Sequence, residues 1–135
     1  MTNKLIEDIK SEEGYRRFPY RCTEGKLTIG YGFNLDDVGL SKEECDAVLD
    51  IRVKNLKSKV NSTLYYLEIE DEAWDILYSM AYQVGLAGLL KFKRMILALS
   101  IGDYKEAAKE GRDSLWYNQT TDRAERLMKK MEGIK

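Results

Sequence analysis

Residues 13–34 have the sequence Glu-Gly-Tyr-Arg-Arg-Phe-Pro-Tyr-Arg-Cys-Thr-Glu-Gly-Lys-Leu-Thr-Ile-Gly-Tyr-Gly-Phe-Asn. Gly14 suits the left-handed position after a helix, so Glu13 is expected on the last turn of an N-terminal helix. Residues 23–26, Thr-Glu-Gly-Lys, are typical of a hairpin turn. From Lys26 to Phe33 large apolar side chains alternate with small residues, which predicts one strand. Its small face, where a ligand can approach the backbone, consists of Thr28, Gly30 and Gly32.

The chain beyond this segment has helical patterning. Residues 41–44, Ser-Lys-Glu-Glu, form a capping box. The helix that it opens is expected to run to about Val60, with Cys45 on its apolar face. A second, buried helix is expected to begin near Ile69 and to end near Gly85. A small sheet followed by several helices predicts the α+β class.

Three further helices are expected near the C-terminus. The first spans the apolar residues from Leu89 to Leu99. The next is capped by Asp103 and carries Leu115 on its inward face, and the last is capped by Thr120 or Thr121.

Composition excludes several classes of function. The chain has 135 residues with 22 basic and 23 acidic side chains, so it has no overall basic field to attract nucleic acid. It has no apolar run near 18 residues, so stable membrane insertion is not expected. It has no signal-type segment, so a cytoplasmic location is expected. Two cysteines are too few for a disulfide framework. Histidine is absent, so acid–base chemistry must use other side chains. No metal or cofactor is predicted, and a monomer is the default.

Three separated stretches carry a family resemblance. The first is Glu13-Gly14 followed by residues 23–32, Thr-Glu-Gly-Lys-Leu-Thr-Ile-Gly-Tyr-Gly. The second is residues 80–85, Met-Ala-Tyr-Gln-Val-Gly, and the third is residues 114–126, Ser-Leu-Trp-Tyr-Asn-Gln-Thr-Thr-Asp-Arg-Ala-Glu-Arg. In this order they resemble the motifs of phage-type lysozymes, glycoside hydrolase family 24, and the T-even phage enzymes in particular.

The resemblance implies an endolysin that hydrolyses the β-1,4 bond between N-acetylmuramic acid and N-acetylglucosamine in bacterial peptidoglycan. It implies one lysozyme-like domain over residues 1–135. A small N-terminal lobe (about 13–40) would be joined by a long helix (about 41–60) to a helical lobe (about 61–135 plus the N-terminal helix). Such enzymes wait in the host cytoplasm until a holin-type lesion releases them to the cell wall.

The resemblance also implies three catalytic positions that face one cleft. Glu13 matches the general acid, and Thr28 matches the threonine whose hydroxyl holds the attacking water. Cys22 falls where most members carry a catalytic aspartate and some carry cysteine, so its thiolate could act as base or nucleophile. The non-catalytic alternatives are that Glu13 is a solvated charge, that Cys22 is a small buried residue in an inactive homologue, and that Thr28 only favours the strand conformation.

Substrate-binding positions are implied in the same way. They are Tyr31, Gln83, Trp116, Gln119, Thr120 and Arg123. The glutamines and Thr120 would hydrogen-bond sugar hydroxyl or N-acetyl groups, and Arg123 would pair with the acid across the lobes. Trp116 could lie beneath a sugar ring, although such aromatic residues more often belong to the core. Phe33 departs from the usual histidine, which is mainly structural in the family.

Two other functions stay open at this point. One is a catalytically silent fold that binds peptidoglycan or a protein, which the cysteine at position 22 keeps in play. The other is a lytic transglycosylase, which can act with one acid and gives 1,6-anhydro products. The outcome at the anomeric carbon depends on the distance between Glu13 and Cys22. A Cys22–Cys45 disulfide would block the thiol, and cytoplasmic redox conditions disfavour it.

Overall fold

The structure is a computed structural model that describes residues 2–135, with side chains from Asn3 onward. This part of the chain holds a three-stranded antiparallel sheet and seven helices, so the predicted α+β class is confirmed. The chain divides into an N-terminal unit, Met1–Val48, and a C-terminal unit, Leu49–Lys135. Helix α1 (Thr2–Glu13) lies in the N-terminal unit, whereas the prediction grouped it with residues 61–135. No described helix is long and apolar enough to cross a bilayer.

The N-terminal unit is built around the predicted hairpin. Strands β1 (Arg16–Arg21), β2 (Leu27–Gly30) and β3 (Phe33–Asn34) follow one another in the sheet, so β2 is central. The turn between β1 and β2 closes where Cys22 N donates to Lys26 O at 2.9 Å and Gly25 N donates to Cys22 O at 2.8 Å. Gly25 has φ +78°, which glycine adopts without steric cost. The hairpin turn at residues 23–26 is therefore confirmed.

The prediction of one strand from Lys26 to Phe33 is wrong. Strand β2 ends at Gly30 because Gly30 and Gly32 have φ of +69° and +74°, which turns the chain at Tyr31 into β3. The ring of Phe33 folds back over Gly30, where an added Cβ would lie 2.7 Å from a ring carbon. The space left by this glycine is therefore filled by the chain's own side chain.

Helix α2 (Lys42–Thr63) begins with the predicted capping box. Glu44 N donates to Ser41 Oγ at 3.1 Å, and Ser41 N donates to Glu44 Oε1 at 2.8 Å. The interpretation of Cys45 as a core residue is wrong, because Cys45 is an exposed free thiol and residues 42–52 of the helix are all exposed. Among residues 3–48 only Thr28 is fully buried, so this half of α2 has no apolar core to pack against.

The C-terminal unit contains the apolar core. Its further helices are α3 (Asp71–Leu90), α4 (Lys93–Ser100), α5 (Tyr104–Arg112), α6 (Leu115–Gln119) and α7 (Thr121–Glu132). The largest fully buried side chains are Val60, Leu64, Leu77, Met80, Leu89, Met95, Leu99, Met128 and Met131. Gly85 has φ +79° and ψ 166°, which is not helical, so it separates two helical segments within α3 and the predicted helix end near Gly85 is confirmed.

The helix starts in this unit agree only in part with the sequence. Asp103 caps α5, since its Oδ1 accepts from Glu106 N at 3.0 Å. Leu115 is 69% exposed, and its predicted inward position is wrong because Ser114 caps a separate short helix at this point. Thr120 precedes α7, but its hydroxyl donates to Trp116 O at 3.1 Å and makes no cap hydrogen bond.

An ion cluster joins α5 to α7. Arg112 makes two forked contacts, to Glu125 (Nε–Oε1 2.7 Å and Nη2–Oε2 3.1 Å) and to Glu132 (Nη1–Oε2 2.7 Å and Nη2–Oε1 3.1 Å). Tyr117 Oη donates to Glu125 Oε1 at 3.0 Å. Hydrogen bonding to the Arg112 guanidinium lowers the pKa of both carboxyl groups, and these bonds raise the pKa of Arg112.

Replacement of Arg112 by lysine tests this cluster. We expect Arg112→Lys to lower the thermal midpoint by several degrees at neutral pH, because an ammonium group cannot make two forked contacts. Because the folded-state pKa values of Glu125 and Glu132 are lowered, their contribution is present above about pH 4.3 and is lost as the pH falls below it. The difference from wild type should therefore shrink in acid. Arg94→Lys, at an exposed position, is the control, and a pH-independent difference would contradict the assignment.

Candidate active site

The carboxyl group of Glu13 is positioned by two glycines. Gly14 ends α1 with φ +72°, and its N–H donates to Lys10 O at 2.8 Å, so Glu13 is the last residue of the helix as predicted. Its carboxyl group lies over Gly32, where an added Cβ would overlap the Oε2 atom and lie 2.8 Å from Cδ. The absence of a side chain at position 32 therefore leaves room for the carboxyl group of Glu13, whose side chain is exposed.

Cys22 is a free, half-buried thiol at the end of β1. The backbone N–H groups of Lys26 and then Glu24 lower the pKa of this thiol, and the Thr28 hydroxyl adds to the effect. Partial burial and the Glu24 carboxylate act in the opposite direction. The tight turn thus supplies the donors that favour a thiolate. The Arg21 guanidinium group donates to Gly25 O at 3.2 Å and to Asp36 Oδ2 at 3.4 Å.

Thr28 lies beside Cys22 on the same side of the sheet. It pairs with Tyr20 on β1 and Asn34 on β3, and Cys22 is two residues beyond Tyr20, so their side chains are diagonal neighbours. Thr28 is 4% exposed, and its Oγ1 donates to Lys26 O at 2.9 Å. The hydroxyl donates its one proton to this carbonyl, and its lone pairs remain able to accept.

Tyr31 occupies the turn between the two positive-φ glycines and belongs to an aromatic group. Its ring centroid lies 5.7 Å from that of Tyr15 and 6.4 Å from that of Phe33. The Nζ atom of Lys10 lies 5.6 Å from the Tyr31 centroid. The ring is half-buried, so it packs within the N-terminal unit and leaves part of its surface open.

In the C-terminal unit, Gln83 and Trp116 bond to each other. Trp116 Nε1 donates to Gln83 Oε1 at 3.0 Å, and the indole ring packs edge-on against Phe92 at 5.7 Å. Trp116 is 6% exposed, so the structure places this ring in the core and not at the surface. The Nε2 group of Gln83 remains as the donor of a half-buried side chain.

The remaining predicted residues lie where α6 meets α7. Gln119, Thr120 and Arg123 line one shallow groove together with Thr121, Asp122 and Arg126. Arg123 Nη2 donates to Ser79 O at 3.1 Å and to Ser79 Oγ at 3.3 Å, which links α7 to α3. Three of the predicted binding residues are thus brought together within this unit.

Two features of the site were missed in the sequence. The first is Gly32, whose small size was read as room for a ligand although the Glu13 carboxyl group takes that room. The second is the ring of backbone donors around Cys22. A glycine with positive φ marks each feature, Gly32 at the carboxyl group of Glu13 and Gly25 in the turn at Cys22. The sequence shows these glycines but not which atoms lie next to them.

Comparison with known proteins identifies related chains. A family model described as Phage lysozyme matches residues 10–132. The pre-baseplate central spike protein Gp5 of Enterobacteria phage T4 is 30% identical over 91% of this chain and 26% of its own length. The probable T4-type lysozyme 1 of Dictyostelium discoideum is 23% identical over 98% of this chain and 95% of its own length. An endolysin of Bacillus phage B103 is 35% identical over 78% of this chain and 41% of its own length.

Replacement of Gly32 by alanine tests the contact with Glu13. Gly39→Ala is the control, because Gly39 has φ +66° and no atom within contact distance of an added Cβ other than Leu35 O at 4.0 Å. We expect each change to cost about 1 kcal/mol for the left-handed backbone and Gly32→Ala to cost slightly more, because the exposed Glu13 side chain must also move away from the added Cβ atom. Combination with Glu13→Ala should remove the excess at Gly32 and leave Gly39→Ala unaffected, as denaturant unfolding would measure. Strict additivity at Gly32 would contradict the contact.

The pKa of the Cys22 thiol can be measured by alkylation. In the Cys45→Ser background, iodoacetamide should react with a midpoint below about pH 8.5, the ordinary value for cysteine, because the lowered pKa leaves more thiolate at a given pH. Thr28→Val should raise that midpoint through loss of the hydroxyl, and Glu24→Gln should lower it further through loss of a negative charge. Shifts of the opposite sign would refute the assigned causes.

Proposed function

This chain belongs to the phage lysozyme family, and from that membership together with the site we propose that it is a peptidoglycan muramidase, an endolysin that cuts the bond between N-acetylmuramic acid and N-acetylglucosamine. The observation that carries the proposal is the site of the N-terminal unit, where the exposed Glu13 carboxyl group lies against Gly32 and the Cys22 thiol has a lowered pKa. The chain spans 26% of the length of the phage T4 spike protein and 41% of the length of the phage B103 endolysin. The activity of the whole protein is therefore proposed here and not taken from these relatives.

Glu13 is proposed as the general acid. Its proton passes to the glycosidic oxygen as the bond between that oxygen and the anomeric carbon breaks. The exposure of the carboxyl group matters because proton transfer requires hydrogen-bonding distance to the leaving oxygen. After the transfer Glu13 is a carboxylate, ready to take a proton back from water.

Cys22 is proposed as the second catalytic group. As a base, its thiolate takes one proton from a water that attacks the anomeric carbon, and Thr28 holds that water by accepting a hydrogen bond from its other O–H group. As a nucleophile, the thiolate forms a thioglycosyl intermediate that water then hydrolyses with Glu13 as base. The lowered pKa of Cys22 favours either role over that of an inert buried cysteine.

Sugar binding is proposed for several residues, each described within its own unit. Gln119, Thr120 and Arg123 line the groove at the start of α7, and they would bond sugar hydroxyl and N-acetyl groups. Gln83 keeps its Nε2 donor, and Tyr31 keeps an open part of its ring. Trp116 is proposed to act through Gln83, which its indole holds in place. As an endolysin, the protein would reach the cell wall through a holin-type lesion.

The test is clearance of purified Gram-negative cell walls under reducing conditions. We expect wild-type protein to clear the suspension and Glu13→Gln to lose at least about a hundredfold in rate, whereas Glu12→Gln, one residue away, should retain activity. Cys22→Ser should fall strongly, and Cys22→Asp should remain active because aspartate accepts the same backbone donors. A folded wild type that leaves the walls intact would overturn the muramidase proposal.

Mass spectrometry of the products separates the two enzymatic reactions. A hydrolase leaves a reducing-end muramic acid, whereas a lytic transglycosylase leaves the 1,6-anhydro form, which is lighter by one water. Glu13 alone would be enough for the second reaction. If the products are anhydro forms and Cys22→Ser keeps full activity, the enzyme is a lytic transglycosylase and not a hydrolase.

A further inference from the structure

Arg16 and Arg17 differ from the other cations of the N-terminal unit. That unit contains seven lysine and arginine residues, and five of them have a carboxylate oxygen within 4.0 Å. These pairs are Lys4–Asp8, Lys10–Glu7, Arg21–Asp36, Lys26–Asp37 and Lys42–Asp46. Among the described residues of the unit, only Arg16 and Arg17 lack such a partner. These two guanidinium groups therefore have no carboxylate partner among the described residues of the unit.

The two guanidinium groups lie over aromatic rings. The Cζ atom of Arg16 is 4.2 Å from the ring centroid of Tyr20, and that of Arg17 is 5.5 Å from the centroid of Phe18. Stacking on a ring orders the guanidinium plane but leaves its N–H edge free to bond an acceptor. Both arginines are exposed, and Phe18 is 72% exposed, so this ordered charge faces solvent.

The position of the pair relates it to the proposed chemistry. Both residues lie on β1, which begins three residues after Glu13 and ends one residue before Cys22. Arg16 pairs with Gly30 on β2, next to the turn that contacts Glu13. Strand β1 is an edge strand of the sheet, so its outer side can accept an extended peptide.

We propose that Arg16 and Arg17 bind the carboxylate groups of the peptide stems that peptidoglycan carries on its muramic acid residues. This inference rests on the muramidase function, because a glycan held at Glu13 and Cys22 brings its stems beside β1. Guanidinium groups suit carboxylates since their N–H groups match the two oxygens. The edge strand favours an extended peptide with carboxylates over a lipid surface, which offers phosphate groups without an extended backbone.

A specificity follows from this assignment. Cell wall whose stem carboxylates are intact should bind better than the same wall after its carboxylates have been converted to amides. Because exposed charge pairs are screened by salt, the difference should diminish as salt is raised. Neither effect is expected of two solvated arginines with no ligand.

The test measures binding of Glu13→Gln protein to purified cell walls by cosedimentation in the cold, so that binding is separated from cleavage. Arg16→Gln/Arg17→Gln in this background should weaken binding to unmodified walls about three- to tenfold and leave binding to carbodiimide-amidated walls unchanged. Lys4→Gln/Lys42→Gln is the control, since it removes the same charge from two paired residues. Arg16→Lys/Arg17→Lys should recover only part of the loss, because lysine lacks the planar fork.

The outcomes separate this inference from the proposed function. Equal losses for the arginine and lysine pairs, or equal losses on both walls, would overturn the carboxylate site whether or not the wild type cleaves. Absence of wall binding by the Glu13→Gln background would overturn it as well. The same variants are also tested for binding to vesicles that contain anionic phospholipid. If the arginine variants lose binding to these vesicles and not to cell walls, the ligand is a lipid surface and not the stem carboxylates. Failure of the proposed function would appear separately, as wild-type protein that binds walls and does not clear them.

Discussion

The close approach of the Glu13 carboxyl group to Gly32 depends on the absence of a side chain at position 32. Glu13 is at the end of α1, and Gly32 is in the turn between β2 and β3, so this contact lies between a helix end and the sheet. A Cβ atom at position 32 would overlap Oε2 of Glu13 where it now lies. The Glu13 side chain is exposed, so its carboxyl oxygens are open to a substrate. Glycine at position 32 thus admits the carboxyl group, and its positive φ turns the chain from β2 into β3.

The turn that follows β1 gives the Cys22 thiol an environment that favours its ionised form. The backbone N–H groups of residues 24 and 26 lower the pKa of this thiol. An aspartate, which the family resemblance implies at this position in most members, would accept the same bonds as it does in an Asx-turn, and a thiolate accepts them for the same electrostatic reason. A thiol is a weaker acid than a carboxyl group, so these bonds increase the fraction of thiolate at a given pH. The proposed use of cysteine at this position would therefore change the group and keep an environment that suits its charge.

What could be predicted from the sequence depended on how local the cause was. The hairpin turn at residues 23–26, the capping box at Ser41 and the cap at Asp103 follow from side chains within four residues, and all three are confirmed. Cys45 and Leu115 were misassigned because periodicity shows which residues share a face but not what that face meets. Trp116 illustrates the same limit at the site. Its place in the core depends on Phe92 and Gln83, which lie 24 and 33 residues away in the sequence.

The distribution of buried residues explains why the site is made of turns and hydrogen bonds. The described apolar core lies in the C-terminal unit, whereas Thr28 is the one fully buried residue among positions 3–48. The N-terminal unit is therefore ordered by the sheet, by the Asp36 carboxylate on Leu27 N at 2.7 Å and by the Asn34 amide on Asp37 N at 2.9 Å. Such bonds each contribute about 1 kcal/mol and exchange with water more readily than a packed core opens. The proposed catalytic groups thus belong to an element whose stability is local, and the turn that its bonds close also supplies the backbone N–H groups that lower the pKa of the Cys22 thiol.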